Sequence, residues 1–522
     1  MDTLKGMGLP YNAASRFIDR NVENGLGHKV AIYFQDISIT YDELQQAVHR
    51  FGNALLRLGI TMEDRVLLLC DDAPEFVESF FGAVKVGAVP IPVNTAMAPA
   101  DYEYFLNNSR AKVIVAHQSL WYRIRDIRDR LRYVKHVIVI HESANHEADV
   151  MDYRQLTNGE STNLEGAHTT HSDSAFWLYS SGSTGNPKGI IHLQHDMEYA
   201  FNAYARNVLQ LNESDITFSA SKLYFAYGLG NGMYFPFGAG ASTVLLKGRP
   251  KPDVVLETIE KYRPTVFFGV PTLYGSMIDL TERSQRKYDL SSVRICVSAG
   301  EALPAQFMKK WKQLYGLDIL DGIGSSEVLH IFLSNGIGDI RPGSTGKIVP
   351  GYDAKVVNEL GMPASAMEVG DLLVKGDSIA HGYWNLHEEN KRKFIGEWLH
   401  TGDKYYMDED GYFWYCGRSD DMIKVNGIWV SPVEIENALI KHETVFEVAV
   451  VGVKLEDDLT VSKAYVVLKE GIVAHESLKS ELQAFVKNEL ASYKSPKLIE
   501  FVNELPKTQS GKIQRFKLRT GS

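Results

Sequence analysis

Short apolar runs alternate with longer amphipathic stretches through the first two-thirds of the chain, and this alternation most narrows the fold. Arg65–Cys70, Lys112–Ala116, His136–Ile140, Ser242–Leu246, Thr265–Gly269 and Arg294–Ser298 have the length and composition of buried strands. Glu75–Val86 reads as a helix between two of them. Thr40-Tyr41-Asp42-Glu43 has the spacing of a capping box that opens another helix. Repeated strand–helix pairs imply βαβ units and parallel sheet. With 522 residues the chain exceeds one compact core, so two or more packed regions are expected.

After about Arg341 the texture changes. Turn residues crowd Gly343–Gly346, Pro350-Gly351 and Gly370–Val374, which suggests a smaller, mostly β region reaching to about residue 419. Beyond it come two apolar runs, Phe446–Val453 and Lys463–Leu468. An amphipathic helix follows, with Leu478, Leu482, Phe485, Val486 and Leu490 on one face, and then the strand-like Leu498–Val502. About 100 residues suffice for a small α/β domain.

The formal net charge of −10 argues against nucleic acid as the main partner. Cys70, Cys296 and Cys416 are far apart and form no CxxC pair, so disulfides are not expected, which fits a reducing compartment; Cys70 and Cys296 end or interrupt apolar runs and read as buried free thiols. Met1–Pro10 lacks an apolar signal core, and no run of 18 apolar residues occurs. A cytoplasmic protein without a membrane span is expected.

The most informative segment is Tyr179-Ser180-Ser181-Gly182-Ser183-Thr184-Gly185-Asn186-Pro187-Lys188-Gly189, placed after the strand-like Ala175–Leu178. Glycines let backbone N–H groups turn toward an anion, hydroxyls add donors, and Lys188 adds positive charge. The implied ligand is a polyphosphate. The pattern differs from the kinase-type GxxxxGK[ST] loop, because Pro187 precedes the lysine and Gly189 follows it.

This loop resembles the signature of the adenylate-forming superfamily, which includes acyl-CoA synthetases, adenylation domains and luciferases. Further motifs follow in the order that family shows: Ser298-Ala299-Gly300-Glu301-Ala302-Leu303-Pro304, Asp321-Gly322-Ile323-Gly324-Ser325-Ser326-Glu327, Trp398-Leu399-His400-Thr401-Gly402-Asp403, Gly417-Arg418-Ser419-Asp420-Asp421-Met422-Ile423-Lys424 and Pro506-Lys507-Thr508-Gln509-Ser510-Gly511-Lys512. The resemblance implies a multi-domain α/β fold. Residues 1–419 would hold two doubly wound α/β subdomains and a small β-barrel-like subdomain. Residues 420–522 would form a small mobile α/β domain hinged near Asp420.

The same resemblance implies roles. ATP and AMP would be bound by Ser180 to Gly185, Lys188, Gly300, Glu301, Ala302, Asp321, Gly322, Ser326, Asp403, Tyr415 and Arg418. Asp403 would accept the ribose hydroxyls, and Arg418 would pair with ribose or phosphate through its planar fork. Glu327 would be the Mg2+-side carboxylate, directly or through water. Taken alone, Lys512 is a solvated tail charge; in the motif it is the adenylation lysine. Lys424 and Gly427 would help form a tunnel for coenzyme A once the small domain has rotated.

Two segments speak to the acid. In Tyr224-Phe225-Ala226-Tyr227-Gly228-Leu229-Gly230-Asn231 and His330-Ile331-Phe332, aromatics alternate with Ala and Gly. Flat walls of little depth suit a small planar ring. These segments resemble benzoate–CoA ligases. Ala226, Tyr227, Gly228, Ala299, Gly324, His330 and Ile331 would line the pocket, with Phe225 beside the reacting carboxylate. The expected activity is ATP-dependent joining of benzoate to coenzyme A through an acyl-adenylate. Hydroxybenzoate, aminobenzoate or small heteroaromatic acids are the alternatives, as is loading of a separate carrier protein. A homodimer is one option for assembly.

Overall fold

The computed structural model describes residues 9–141, 150–180, 186–284, 286–425, 428–454, 460–507 and 513–519. Among these, one sheet contains five parallel strands in the order Val89–Pro92, Arg65–Leu69, Val113–His117, His136–Ile140 and Met151–Asp152. Helices Pro74–Lys85 and Pro99–Ser109 make the first two crossovers. The second sheet contains nine strands. Its parallel centre runs Ile319–Gly324, Ile295–Ser298, Val266–Gly269, Ile216–Ser219, Ser242–Leu245 and Val30–Phe34. Antiparallel strands extend both edges.

Side-chain alternation along these strands shows how the layers stack. Val66 and Leu68 face a large shared core, while Leu67 and Leu69 face a separate outer one. Val113 and Val115 alternate likewise with Ile114 and Ala116. In the second sheet Val266 and Phe268 face the shared core, and Phe267 and Cys296 face a third cluster. Both sheets are therefore buried on two faces, which is why their strands read as continuous apolar runs. The expected strands appear with ends shifted by a residue. Arg294, for instance, precedes its strand because its N–H bonds Thr265 in the connecting segment.

The predicted capping box is present. Thr40 N–H donates to Glu43 Oε2 at 2.8 Å, Glu43 N–H donates to Thr40 Oγ1 at 3.3 Å, and helix Tyr41–Arg57 begins there. This helix packs on Pro74–Lys85 with little clearance. A Cβ on Gly82 would lie 2.9 Å from the Val48 carbonyl oxygen.

The region after Arg341 is an antiparallel sheet of Asp353–Val357, Gly370–Lys375 and Trp398–Met407, with Phe394–Ile395 and Phe413–Arg418 paired to the last. Near the C-terminus, Val445–Lys454, Thr460–Leu468 and Leu498–Phe501 form a further sheet. Helix Glu476–Glu489 covers it, and Leu478, Leu482 and Val486 enter a core built from residues after Ile423. Phe485 is half-buried and meets His442 edge-on, with centroids 5.1 Å apart. Cys70, Cys296 and Cys416 are buried free thiols. No helix among the described residues is long and apolar enough to cross a membrane.

Candidate active site

Strands Ser174–Ser180 and Lys188–Leu193 pair antiparallel, so the Ser/Gly-rich segment between them joins two neighbouring strands. Ser180 pairs with Lys188 across its base. Ser181, Gly182, Ser183, Thr184 and Gly185 lie outside the described residues. Lys188 Nζ is 2.6 Å from Glu389 Oε1 and sits 5.1 Å from the centre of the Tyr383 ring. The hydrogen bond from Lys188 holds the Glu389 carboxyl below the usual carboxylate range.

Glu327 and Ser326 lie in the turn between strands Ile319–Gly324 and Ile331–Ser334. This turn is held from three sides. Ala380 N–H donates to the Glu327 carbonyl at 2.7 Å, His192 Nε2 meets the Ser326 carbonyl at 2.8 Å, and Ser378 Oγ donates to the Val328 carbonyl. Tyr383 O–H donates to Glu327 Oε1 at 2.8 Å, leaving Oε2 for other partners. One fixed carboxylate is the kind of oxygen ligand that would suit Mg2+. No group of three or more His, Cys, Asp or Glu among the described residues could form an all-protein cage.

Asp403 and Arg418 are directly opposed on neighbouring strands, and Arg418 Nη1 is 3.2 Å from Asp403 Oδ1. Tyr415 lies two pairs along the same ladder, its ring 5.4 Å from that of Tyr405. Asp321 pairs with Ser298 in the second sheet. Its Oδ1 has no hydrogen-bond partner among the described residues, and burial raises its carboxyl well above the usual range. A ligand N–H would satisfy such an oxygen. Gly322 follows it on a strand where a Cβ would stand 2.9 Å from the Leu333 carbonyl.

The acid segments converge beside this cluster. Phe225 caps the short helix Ala226–Leu229, and its ring packs on Tyr224 at 4.7 Å. Tyr227 O–H reaches the carbonyls of Gly269 and Val297, each at 3.3 Å, on paired strands, the second of which leads to Ala299 and Gly300. Ala226 and Ala299 are buried. His330 lies 2 % exposed among Tyr204, Tyr227 and Phe235, whose ring centres are 5.5, 5.7 and 4.3 Å away. Burial pushes its pKa down to about 3, so the ring is neutral. His330 Nε2 meets Asn231 Oδ1 at 3.1 Å. His330 Nδ1, Asn231 Nδ2 and Tyr234 Oη have no partners among the described residues. Gly228 and Gly324 admit no side chain, because a Cβ would stand 2.1 Å from the Lys222 oxygen or 2.5 Å from the His330 oxygen. Ile331 is buried and pairs with Gly324 at an irregularity in the ladder.

Lys512 lies outside the described residues, but the backbone just after it does not. Ile513 N–H donates to Glu301 Oε1 at 2.9 Å. The residue that follows the closing motif therefore meets the Gly300-Glu301-Ala302 segment. Asp420 occupies an exposed turn between Phe413–Arg418 and Ile423–Val425. Exposed Lys424 pairs with Trp429 in a two-stranded ribbon, and Gly427 lies outside the described residues.

Tyr383, Glu389, Lys393 and His192 also belong to this neighbourhood, and sequence reasoning missed them. Their spacing carries no signal, since Tyr383 reaches Glu327 across 56 positions and Glu389 reaches Lys188 across 201.

Known proteins resemble this chain in sequence and fold. Residues 18–384 match the AMP-binding enzyme family, and residues 434–512 match the AMP-binding enzyme C-terminal domain. A benzoate–CoA ligase of Thauera aromatica is 47% identical over 98% of this chain and 96% of its own length. A 4-hydroxybenzoate–CoA/benzoate–CoA ligase of Rhodopseudomonas palustris is 41% identical over 98% of this chain and 94% of its own. The crystal structure of the anthranilate CoA ligase AuaEII with anthranoyl-AMP superposes with a TM-score of 0.94 at 43% identity, covering 98% of both chains. Motifs, fold and near full-length likeness agree: the chain belongs to the AMP-binding enzyme family.

Proposed function

We propose that the chain is an AMP-forming acid–thiol ligase that activates a small aromatic acid, benzoate first, and transfers the acyl group to coenzyme A. The observation that carries this is the abutment of two environments. Buried Ala226 and buried, neutral His330, with Tyr227 and Gly228, pack at one end of the turn that carries Glu327, and Lys188, Asp403 and Arg418 supply the charged side. An apolar planar ring fits the first, and a nucleotide polyphosphate fits the second.

In the first half-reaction a carboxylate must approach an anionic phosphoryl centre. Lys188 and Arg418 lower the charge repulsion, and Asp403 positions the ribose. Lys512, next to a segment docked on Glu301, bridges the carboxylate and α-phosphate. Glu327 would hold Mg2+, which would supply further charge neutralisation on the phosphates. Removing one such positioned group costs ~10²–10³ in rate. Phe225 shields the reacting carboxylate from water. In the second half-reaction the small domain turns about Asp420, and Lys424 and Gly427 line the thiol path. The acceptor is free coenzyme A; pyrophosphate exchange without thioester would instead indicate a separate carrier protein. The reading includes a cytoplasmic enzyme and a homodimer, which sedimentation would check.

The unpartnered Nδ1 of His330, Nδ2 of Asn231 and Oη of Tyr234 favour a second reading, in which a hydroxyl or amino substituent on the ring meets them. Initial rates with benzoate, its hydroxy and amino derivatives, and short aliphatic acids test both. An aryl acid should lead by tenfold or more. A tenfold preference for an aliphatic acid would remove the aryl assignment.

A further inference from the structure

Three cations converge near Glu327, and the sequence motifs account for only two of them. The third, Lys393, ends helix His387–Lys393 and precedes the edge strand Phe394–Ile395. Its Nζ donates to the carbonyls of His400 at 3.0 Å and Thr401 at 3.3 Å. It thereby clips the strand segment that carries Gly402 and Asp403. An ammonium has three protons, and the third finds no acceptor among the described residues.

Lys393 also stands where a protein gains little by placing a cation. A Cβ on Gly402 would lie 3.1 Å from Lys393 Nζ and 3.2 Å from Arg418 Nη2, so both cations flank one backbone point. The charges of Arg418, Lys188, Glu327 and Asp403 all act on it. Burial, and then Arg418, hold its ammonium below the ordinary lysine range. Asp403 is paired with Arg418 and Glu389 with Lys188, while Glu327, whose charge also acts on Lys393, accepts from the neutral Tyr383 hydroxyl. A neutral donor could clip the two carbonyls equally well. Lys393 has no direct ion pair among the described residues, and an anionic ligand would supply one.

We propose that Lys393 is a phosphate-binding residue that grips the β- and γ-phosphates of ATP, and then the departing pyrophosphate, beside Lys188 and Glu327. This rests on the ATP-dependent reading above. That reading assigns Glu327 to the Mg2+ and phosphate side, and the charge of Glu327 acts on Lys393; AMP, which lacks the β- and γ-phosphates, separates this assignment from contact with the α-phosphate or ribose.

The test is calorimetric binding of Mg–ATP, AMP and inorganic pyrophosphate to the full chain, without acid or coenzyme A. Lys393→Gln retains donors for the two carbonyls and removes the charge. It should weaken ATP and pyrophosphate about tenfold while leaving AMP within about twofold. Lys393→Arg should restore most of the loss, and Lys393→Met should match or exceed the Gln variant. Equal weakening of AMP and ATP, or failure of Arg to rescue, would make Lys393 only a clip on the strand. Unchanged binding of all three would also overturn the proposal. If the native chain bound no ATP, the ligase reading itself would fail, and that outcome is distinct from both.

Discussion

Replacing Gly230 by alanine should damage the acid side of the site and spare the nucleotide side. Gly230 has φ −66° and ψ −57°, so alanine suits its backbone. In a helical setting it gains about 0.8–1 kcal/mol over glycine. The conflict lies in side-chain space. The new Cβ would stand 2.5 Å from His330 Cδ2 and 2.9 Å from both His330 Nε2 and Tyr234 Oη. Relief requires the His330 ring to move by about 1 Å, against rings of Tyr204, Tyr227 and Phe235 that already enclose it. Overpacking of this kind costs about 1–3 kcal/mol. If the displaced ring intrudes on the acid, kcat/KM for benzoate falls by about 10- to 100-fold. Steady-state rates with benzoate varied, and separately with ATP varied, read the split. Melting curves confirm that the variant is folded. An unchanged kcat/KM for benzoate, or an equal rise in KM for ATP, would refute the reasoning.

Three further outcomes follow. Glu389→Gln releases Lys188 from its ion pair; since both partners are partly exposed the pair contributes about 1 kcal/mol, so KM for ATP should fall about two- to fivefold with kcat unchanged. High salt should shrink that difference. Asp215→Asn removes the acceptor of Arg294, which reaches both carboxylate oxygens at 2.8 and 2.9 Å, and should destabilise the fold by about 1–3 kcal/mol at pH 7. Burial pulls the Asp215 carboxyl upward, but bonds from Arg294, Thr265 and Asn212 outweigh it and hold it below the usual carboxylate range. A lowered folded pKa gives stability that is present above the unfolded value and lost as pH falls through the folded one. Urea unfolding at pH 7 and pH 3 should therefore show the variant's deficit shrinking on acidification. Asp420→Pro should spare one half-reaction and impair the other, measured as pyrophosphate exchange against thioester formation; equal loss of both would count against a hinge there.

Local features were legible in the sequence because they are written in local periods. The alternation of Val66 and Leu68 with Leu67 and Leu69 gives a strand buried on both faces. Thr40 and Glu43 mark a helix start by their own spacing. Pairing across the chain leaves no such trace. Val30–Phe34 precedes every strand of the first sheet, yet its Ile32 pairs with Thr243 in the second. The same limit hid Tyr383, Glu389 and Lys393, which enter the site through tertiary packing alone. His330 illustrates a mixed case. Its place after the Glu327 turn marked it for the acid pocket, but only the fold shows a neutral ring with one nitrogen bonded and the other without a partner among the described residues.

The measurement that tests the central claim most directly is product stoichiometry from benzoate, ATP, Mg2+ and coenzyme A. The account predicts benzoyl-CoA, AMP and pyrophosphate in equal amounts, with pyrophosphate exchange persisting when coenzyme A is omitted. No pyrophosphate release with benzoate or any substituted aryl acid would contradict it.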